Sequence, residues 1–328
     1  MRKTNMNEKT YNNTLQRLLK SREIGLLIIL FIITIILSFT TKTFFNVENL
    51  LNIIKQVTLV TIVAAGQTFV ITSGGIDLSV GSVLGISSII MSFFITMGVP
   101  VGFAIVICLL CGTFFGFLNG ILITKLFLPP FIVTLGMMSI ARGLINVITK
   151  GYPIMIDSPL IMGLGQGNWG VIPIMAIFMP IVIVIMHWLF NYTVFGNHVR
   201  AIGSNEMATR LSGINVKRVK IIVFSLCGLL SGLAGLLMTG RLNSGNPNAG
   251  LNFDMDSIAA VIVGGTLLSG GSGTVVGTML GALLLGVIRN GLVLLNVNMY
   301  WQTVATGAII ILVCAIESLS KERGKKHE

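Results

Sequence analysis

The sequence predicts an all-α polytopic membrane protein of about ten transmembrane helices, with N and C termini on the cytoplasmic side. Three observations lead there. The 328-residue chain is 54% hydrophobic and 10% charged, whereas soluble domains carry roughly 25% charged residues. Its apolar residues come in long runs, and about 20 such residues cross the hydrocarbon of a bilayer. Its basic residues gather in three segments instead of spreading along the chain.

In chain order the spans fall near 24–40, 57–73, 79–97, 101–124, 131–148, 171–190, 221–239, 257–269, 274–295 and 300–317. The first, from Ile24 to Phe39, has no small-residue cleavage site and reads as an uncleaved helix. Between the second and third, Gly74 and Gly75 break the helix, and Ser79 is placed to cap the next one. The connections 149–170 and 240–256 are rich in Gly, Pro and Asn, each long enough for a short surface helix or a docking lip. The eighth span is short, as a broken or re-entrant helix would be.

Positive charge stays where translocation is costly, so the basic clusters fix the topology. They are Arg2, Lys3, Lys9, Arg17, Lys20 and Arg22; Arg200, Arg210, Lys217, Arg218 and Lys220; and Lys321, Arg323, Lys325 and Lys326. A tail 1–23, a membrane domain 24–317 with a cytoplasmic loop 191–220, and a tail 318–328 satisfy all three clusters. Six spans precede the loop and four follow it. Glu48, Asp157, Asp254 and Asp256 then fall in outside loops, and the Asn12-Asn13-Thr14 glycosylation match is chance. The net charge of +11 is therefore topological and does not call for a nucleic-acid partner.

Glycines four apart (Gly112, Gly116 and Gly120; Gly273, Gly277 and Gly281; Gly81 and Gly85; Gly228 and Gly232) predict closely packed helices. The stretches 74–85 and 266–277 echo one another, as do Asn119-Gly120 and Asn290-Gly291, which suggests a possible inverted repeat. Cys108 and Cys111, though spaced C-x-x-C, read as small side chains within a span.

Candidate functional residues fall in two groups. Residues 197–220 interrupt the apolar chain with small, hydroxyl and amide side chains, as a short helix docking into a partner's groove would. Ala201, Gly203, Asn205, Ala208, Arg210, Ser212 and Gly213 are its candidate contacts. Polar groups within spans form the candidate solute path: Gln67, Asp77, Asn119, Thr134, Arg142 and Asn290. Asp77 has three readings: a cap on the following helix, a path-lining carboxylate, or an ion-coupling site. An Asp77–Arg142 pair is conceivable, and Arg289 reads as a side chain reaching for the headgroups. Hydroxyls and amides of this kind suit an uncharged polyhydroxylated solute and also bond helix to helix. No P-loop, H-E-x-x-H or cofactor motif is present, so the chain is not read as an enzyme and needs no cofactor. An ion-coupled secondary transporter of a small polar solute and a membrane anchor are the rival classes.

The motifs FFNVENLLNIIKQ (44–56), GGIDLSVGSV (74–83), AIGSNEMATRLSGINV (201–216), SLCGLLSGLAGLL (225–237) and IAAVIVGGTLLSGGSGTVVGT (258–278) go further. Through them the chain resembles the permease subunits of ABC sugar importers of the ribose/xylose/galactose type, most of all the ribose branch through 205–236. The resemblance implies a second permease subunit, an ATPase on the cytoplasmic loops and an extracytoplasmic sugar-binding protein, all around a bacterial cell-membrane, multi-pass subunit. Two departures stand out. Leu267 replaces a small polar residue of the family pattern, and Ser272 and Thr274 stand where relatives often carry a basic residue.

Overall fold

A backbone in hydrocarbon must satisfy its own N–H and C=O groups, which makes helices the default for these apolar runs. The computed structural model describes residues 22–325. Nearly all of the predicted tail 1–23, with the Asn12-Asn13-Thr14 match, lies outside the described residues, as do 326–328.

The order is α1 (Arg22–Thr40), α2 (Val47–Thr72), α3 (Val80–Thr96), α4 (Val101–Lys125), α5 (Pro130–Thr149), β1 (Ile154–Met155), α6 (Pro159–Gln166), β2 (Asn168–Trp169) and β3 (Ile172–Pro173). Then follow α7 (Ile174–Asn191), α8 (Val194–Ser204), α9 (Glu206–Leu211), α10 (Val216–Leu242), β4 (Ser244–Gly245), α11 (Phe253–Val263), α12 (Val275–Leu294) and α13 (Met299–Lys325). Among the described residues seven helices, α1, α2, α4, α5, α7, α10 and α12, are long and apolar enough to cross a membrane; α3 is a shorter apolar helix.

Where helix ends differ from the apolar runs, the causes are local. α2 starts ten residues before the run at 57, because Asn46 accepts a hydrogen bond from the Glu48 amide and caps it. Its polar first turns hide that start from a hydropathy reading. The run 257–269 is helical only as α11, which Gly264 and the left-handed Gly265 (φ 92°) terminate. Asp254 and Asp256, expected in an outside loop, stand instead in the first turn of α11, and Asp256 is buried.

Burial does not follow apolarity. α1 exposes Leu27, Ile28, Phe31, Ile32 and Phe39, whereas α2 is buried at every position from Val57 to Thr72. Lipid gives apolar side chains no reason to hide, so small and hydrogen-bonding residues share the interior with large ones such as Phe69, Phe190 and Phe224. Thr68 and Thr278 hydroxyls meet at 2.8 Å, and Ser88 and Thr239 at 2.7 Å, each joining two helices. The glycine stripes serve the same end. A β-carbon at Gly112 would overlap the Gly228 carbonyl, one at Gly116 the Phe224 carbonyl, and one at Gly277 the Gly264 carbonyl. α4 and α10 thus pack backbone to backbone.

The connections 149–170 and 240–256 meet. β1 pairs with β4 antiparallel, Ile154 opposite Gly245, and a β-carbon at Gly165 of α6 would overlap the backbone of Gly240. Of the two sequence echoes, the stretches 74–85 and 266–277 enter α3 and α12, and Asn119-Gly120 and Asn290-Gly291 lie within α4 and α12.

Candidate functional site

Loop 191–220 folds as two short helices because three polar residues cap in succession. The Thr193 hydroxyl accepts from the Gly196 amide (3.2 Å), starting α8. Asn205 ends α8 and accepts from the Ala208 amide (2.9 Å), starting α9. Asn215 accepts from the Arg218 amide (3.0 Å), starting α10. Gly213, at φ 83°, makes the left-handed turn that stops α9. Capping side chains of this kind are worth about 1 kcal/mol each.

The two helices have different surroundings. α8 buries Gly196, Val199 and Ile202, and its Arg200 guanidinium bonds the Phe190 carbonyl (2.9 Å) while lying over that ring. α9 buries only Thr209 and is tied to α10 by the Glu206–Lys220 ion pair at 2.6 Å. The seven candidate contacts therefore divide. Asn205, Ala208, Arg210, Ser212 and Gly213 are exposed; Ala201 and Gly203 are partly buried. Gly203 faces inward. A β-carbon there would overlap the Thr72 carbonyl at the end of α2 and the Gly271 amide, and Gly270 packs on both Gly203 and the Gly74 amide. The sequence reading missed Met207 and Leu211, which are 66% and 82% exposed and form the apolar outer face of α9. An i, i+4 apolar pair within a polar loop was the available signal.

Four of the six candidate path residues converge on the turn that joins α2 to α3. The Asp77 carboxylate accepts from the Ser79 amide (2.8 Å) and hydroxyl (2.6 Å). Gln67 donates to the Asp77 carbonyl (3.1 Å), Thr134 to the Ile76 carbonyl (3.2 Å), and Asn119 to the Ser79 hydroxyl (2.9 Å). All four are buried, so the turn is held from α2, α4 and α5 together. Ser79, expected to cap α3 with its side chain, makes no such bond; its hydroxyl is committed to Asp77. The Asn119 carbonyl oxygen and the Thr72 hydroxyl beside this turn are buried with no hydrogen-bond partner.

The other two lie elsewhere. Arg142 donates to the carbonyls of Pro247 (3.2 Å) and Ala249 (2.9 Å), so it does not form the conceivable pair with Asp77. It anchors the 240–256 connection instead. Asn290 exchanges two hydrogen bonds with Asn49, at 2.7 and 3.0 Å. Arg289 does not reach for headgroups. It makes a bidentate pair with the buried Asp256, both bonds 2.6 Å, joining α12 to α11. A carboxylate assigned to a loop could not be matched to it from sequence.

Comparison with known proteins places this geometry. Over residues 49–314 the chain matches the family model described as branched-chain amino acid transport system / permease component. It is 43% identical to ribose import permease protein RbsC of Bacillus subtilis, covering 90% of this chain and 92% of that one. It is 42% identical to the Haemophilus influenzae protein of the same name, covering 88% and 90%. It is 34% identical to fructose import permease protein FrcC of Rhizobium meliloti, covering 94% and 89%. No solved structure matches. With its apolar helices packed through glycine stripes and a capped polar loop between α7 and α10, the chain belongs to this family of transport-system permease components.

Proposed function

We propose that the protein is the permease subunit of an ABC importer, carrying ribose or a related monosaccharide across a bacterial cell membrane. The observation that supports this most is the identity of 40–43% to ribose import permeases over about nine-tenths of the chain. The chain is a transport subunit and not an enzyme; ATP is hydrolysed by a partner. The membrane domain 24–317 crosses ten times, with tails 1–23 and 318–328 and the loop 191–220 in the cytoplasm. The two sequence echoes belong to an inverted repeat.

The ATPase subunit docks on α9, where Met207, Ala208 and Leu211 are outward, and α8 carries its movement inward. Gly203 supports that role, because it seats α8 against both helix breaks at once. A small shift there displaces the 73–79 turn and the 264–274 segment together, which suits a switch between discrete states. The extracytoplasmic sugar-binding protein delivers its cargo at the surface made by 149–170 and 240–256. A second permease subunit completes the path, lipid surrounds the pair, and nucleic acid has no part. Gln67, Asp77, Asn119 and Thr134 hold the hinge beside the path, with the free Asn119 carbonyl oxygen available to a sugar hydroxyl when the turn opens. Arg142 and Asn290 brace the outer side.

Labelled-sugar uptake tests the reading, with this chain replacing the permease of a strain that lacks its own and the cognate ATPase and binding protein supplied. ATP-dependent ribose uptake is expected. Uptake that needs no ATPase partner, or none of ribose, xylose and galactose, would overturn it.

A further inference from the structure

Where α4 ends and α10 begins, a cleft of about 420 Å³ opens between Thr124, Phe127, Glu206, Arg210, Lys217 and Lys220. Three of these side chains are cationic and one is anionic. Glu206 is already spent on Lys220, at 2.6 Å. Among the described residues neither Arg210 nor Lys217 has a carboxylate partner, and Lys217 lies over the Phe127 ring, 4.8 Å from its centre. The cleft thus holds uncompensated positive charge.

Its position says what that charge faces. α4 and α10 are both long and apolar enough to cross a membrane, and the ends of helices of that length belong near the headgroups. Leu126, Phe127 and Leu128, at 59%, 72% and 40% exposed, continue from the cleft as an apolar ledge. Phe127 sits at φ 56°, a left-handed conformation rare for an aromatic residue, which turns its ring under Lys217. Cationic groups above an apolar ledge match a phosphate ester joined to acyl chains. Basic pockets between spanning helices on the cytoplasmic side hold anionic headgroups in this way.

We propose that this cleft binds the phosphate of an anionic phospholipid, held by Arg210 and Lys217 with its acyl chains along Leu126–Leu128. Arg210 belongs to α9, so the bound headgroup braces that helix against α4 and α10. The consequence for coupling rests on the importer reading above; the binding does not.

The test uses the purified full chain in detergent, with phosphatidylglycerol, phosphatidylcholine and inorganic phosphate as separate probes. Binding is read by native mass spectrometry and by thermal shift. Phosphatidylglycerol should bind at least tenfold more tightly than phosphatidylcholine, and the Arg210→Gln/Lys217→Gln variant should lose that preference. Lys150→Gln, at the exposed C-terminal cap of α5, should keep it. Equal binding of the two lipids, or an unchanged preference in the double variant, overturns the proposal. Protection by inorganic phosphate as strong as by the lipid assigns the cleft to a soluble anion and overturns the lipid. No arm measures transport, so failure here is distinct from failure of the importer reading.

Discussion

The carbonyl oxygen of Thr72, the last residue of α2, occupies the space that a β-carbon on Gly203 of α8 would need. The same carbonyl accepts the Gly271 amide at 2.9 Å, so one oxygen joins α2, α8 and the 264–274 segment. Nothing but backbone meets there, and backbone cannot rotate away from an intruding methyl group.

Gly203→Ala is therefore expected to reduce stability by about 1–3 kcal/mol and to cut transport more deeply than it cuts expression. Thermal unfolding of the purified chain and ATP-driven uptake, measured on the same preparation, check this. Unchanged uptake with an unchanged midpoint would show that α8 is not seated as described.

Ala208 is exposed on α9. Ala208→Glu should insert and fold normally, lose sugar uptake, and fail to retain the ATPase subunit on co-purification. Met207→Asp/Leu211→Asp should behave alike. Asn12→Glu, in the basic tail, should be mild. Full ATPase retention by Ala208→Glu would remove α9 as the coupling surface.

Asp77 acts through hydrogen bonds at Ser79 and not through a charge partner, so the geometry of the acceptor is what matters. Asp77→Asn keeps a carbonyl acceptor and should reduce uptake moderately; Asp77→Ala loses it and should reduce uptake far more. At clamped ATP, a protonophore should leave wild-type transport intact. Collapse of transport with the proton gradient alone would point to an ion-coupled carrier.

Gly116→Val places a branched β-carbon into the Phe224 carbonyl and should abolish folded protein in detergent. Gly102→Ala, where a β-carbon meets nothing within 4 Å, should be neutral or stabilising by up to about 1 kcal/mol. Fluorescence-detected size exclusion separates the two outcomes.

Orientation is checked by cysteine labelling in a cysteine-free background. Ser204 and Ser212, both exposed, should react with an impermeant maleimide only after the cells are opened. Ready labelling of either in intact cells would reverse the topology and remove the loop from the ATPase side.

Much of this was legible from pattern alone. Apolar runs gave the helices because hydrocarbon leaves the backbone no other choice, and the four-residue glycine spacing announced close packing, though not that α4 and α10 are the partners. Gln67, Asp77, Asn119 and Thr134 were singled out as polar residues in apolar surroundings, which is why they converge on one turn. Other features depended on neighbours far along the chain. Asp256 looked like a loop residue until the start of α11 placed it against Arg289, and Arg142 found carbonyls rather than a carboxylate. Gly203 read as a docking surface because its smallness was visible and its direction was not. Helix phase within a short polar segment has too few apolar residues to reveal which side faces in.

Asn290 precedes Gly291, and a free Asn-Gly pair ages by losing ammonia when the glycine nitrogen attacks the side-chain carbonyl. Here both residues lie within α12, and the Asn290 amide is held by two bonds to Asn49 across the gap to α2. Attack would need both the helix and that clasp to open. A carboxylate found at position 290 in an old preparation would thus be a dated record that α2 and α12 had separated.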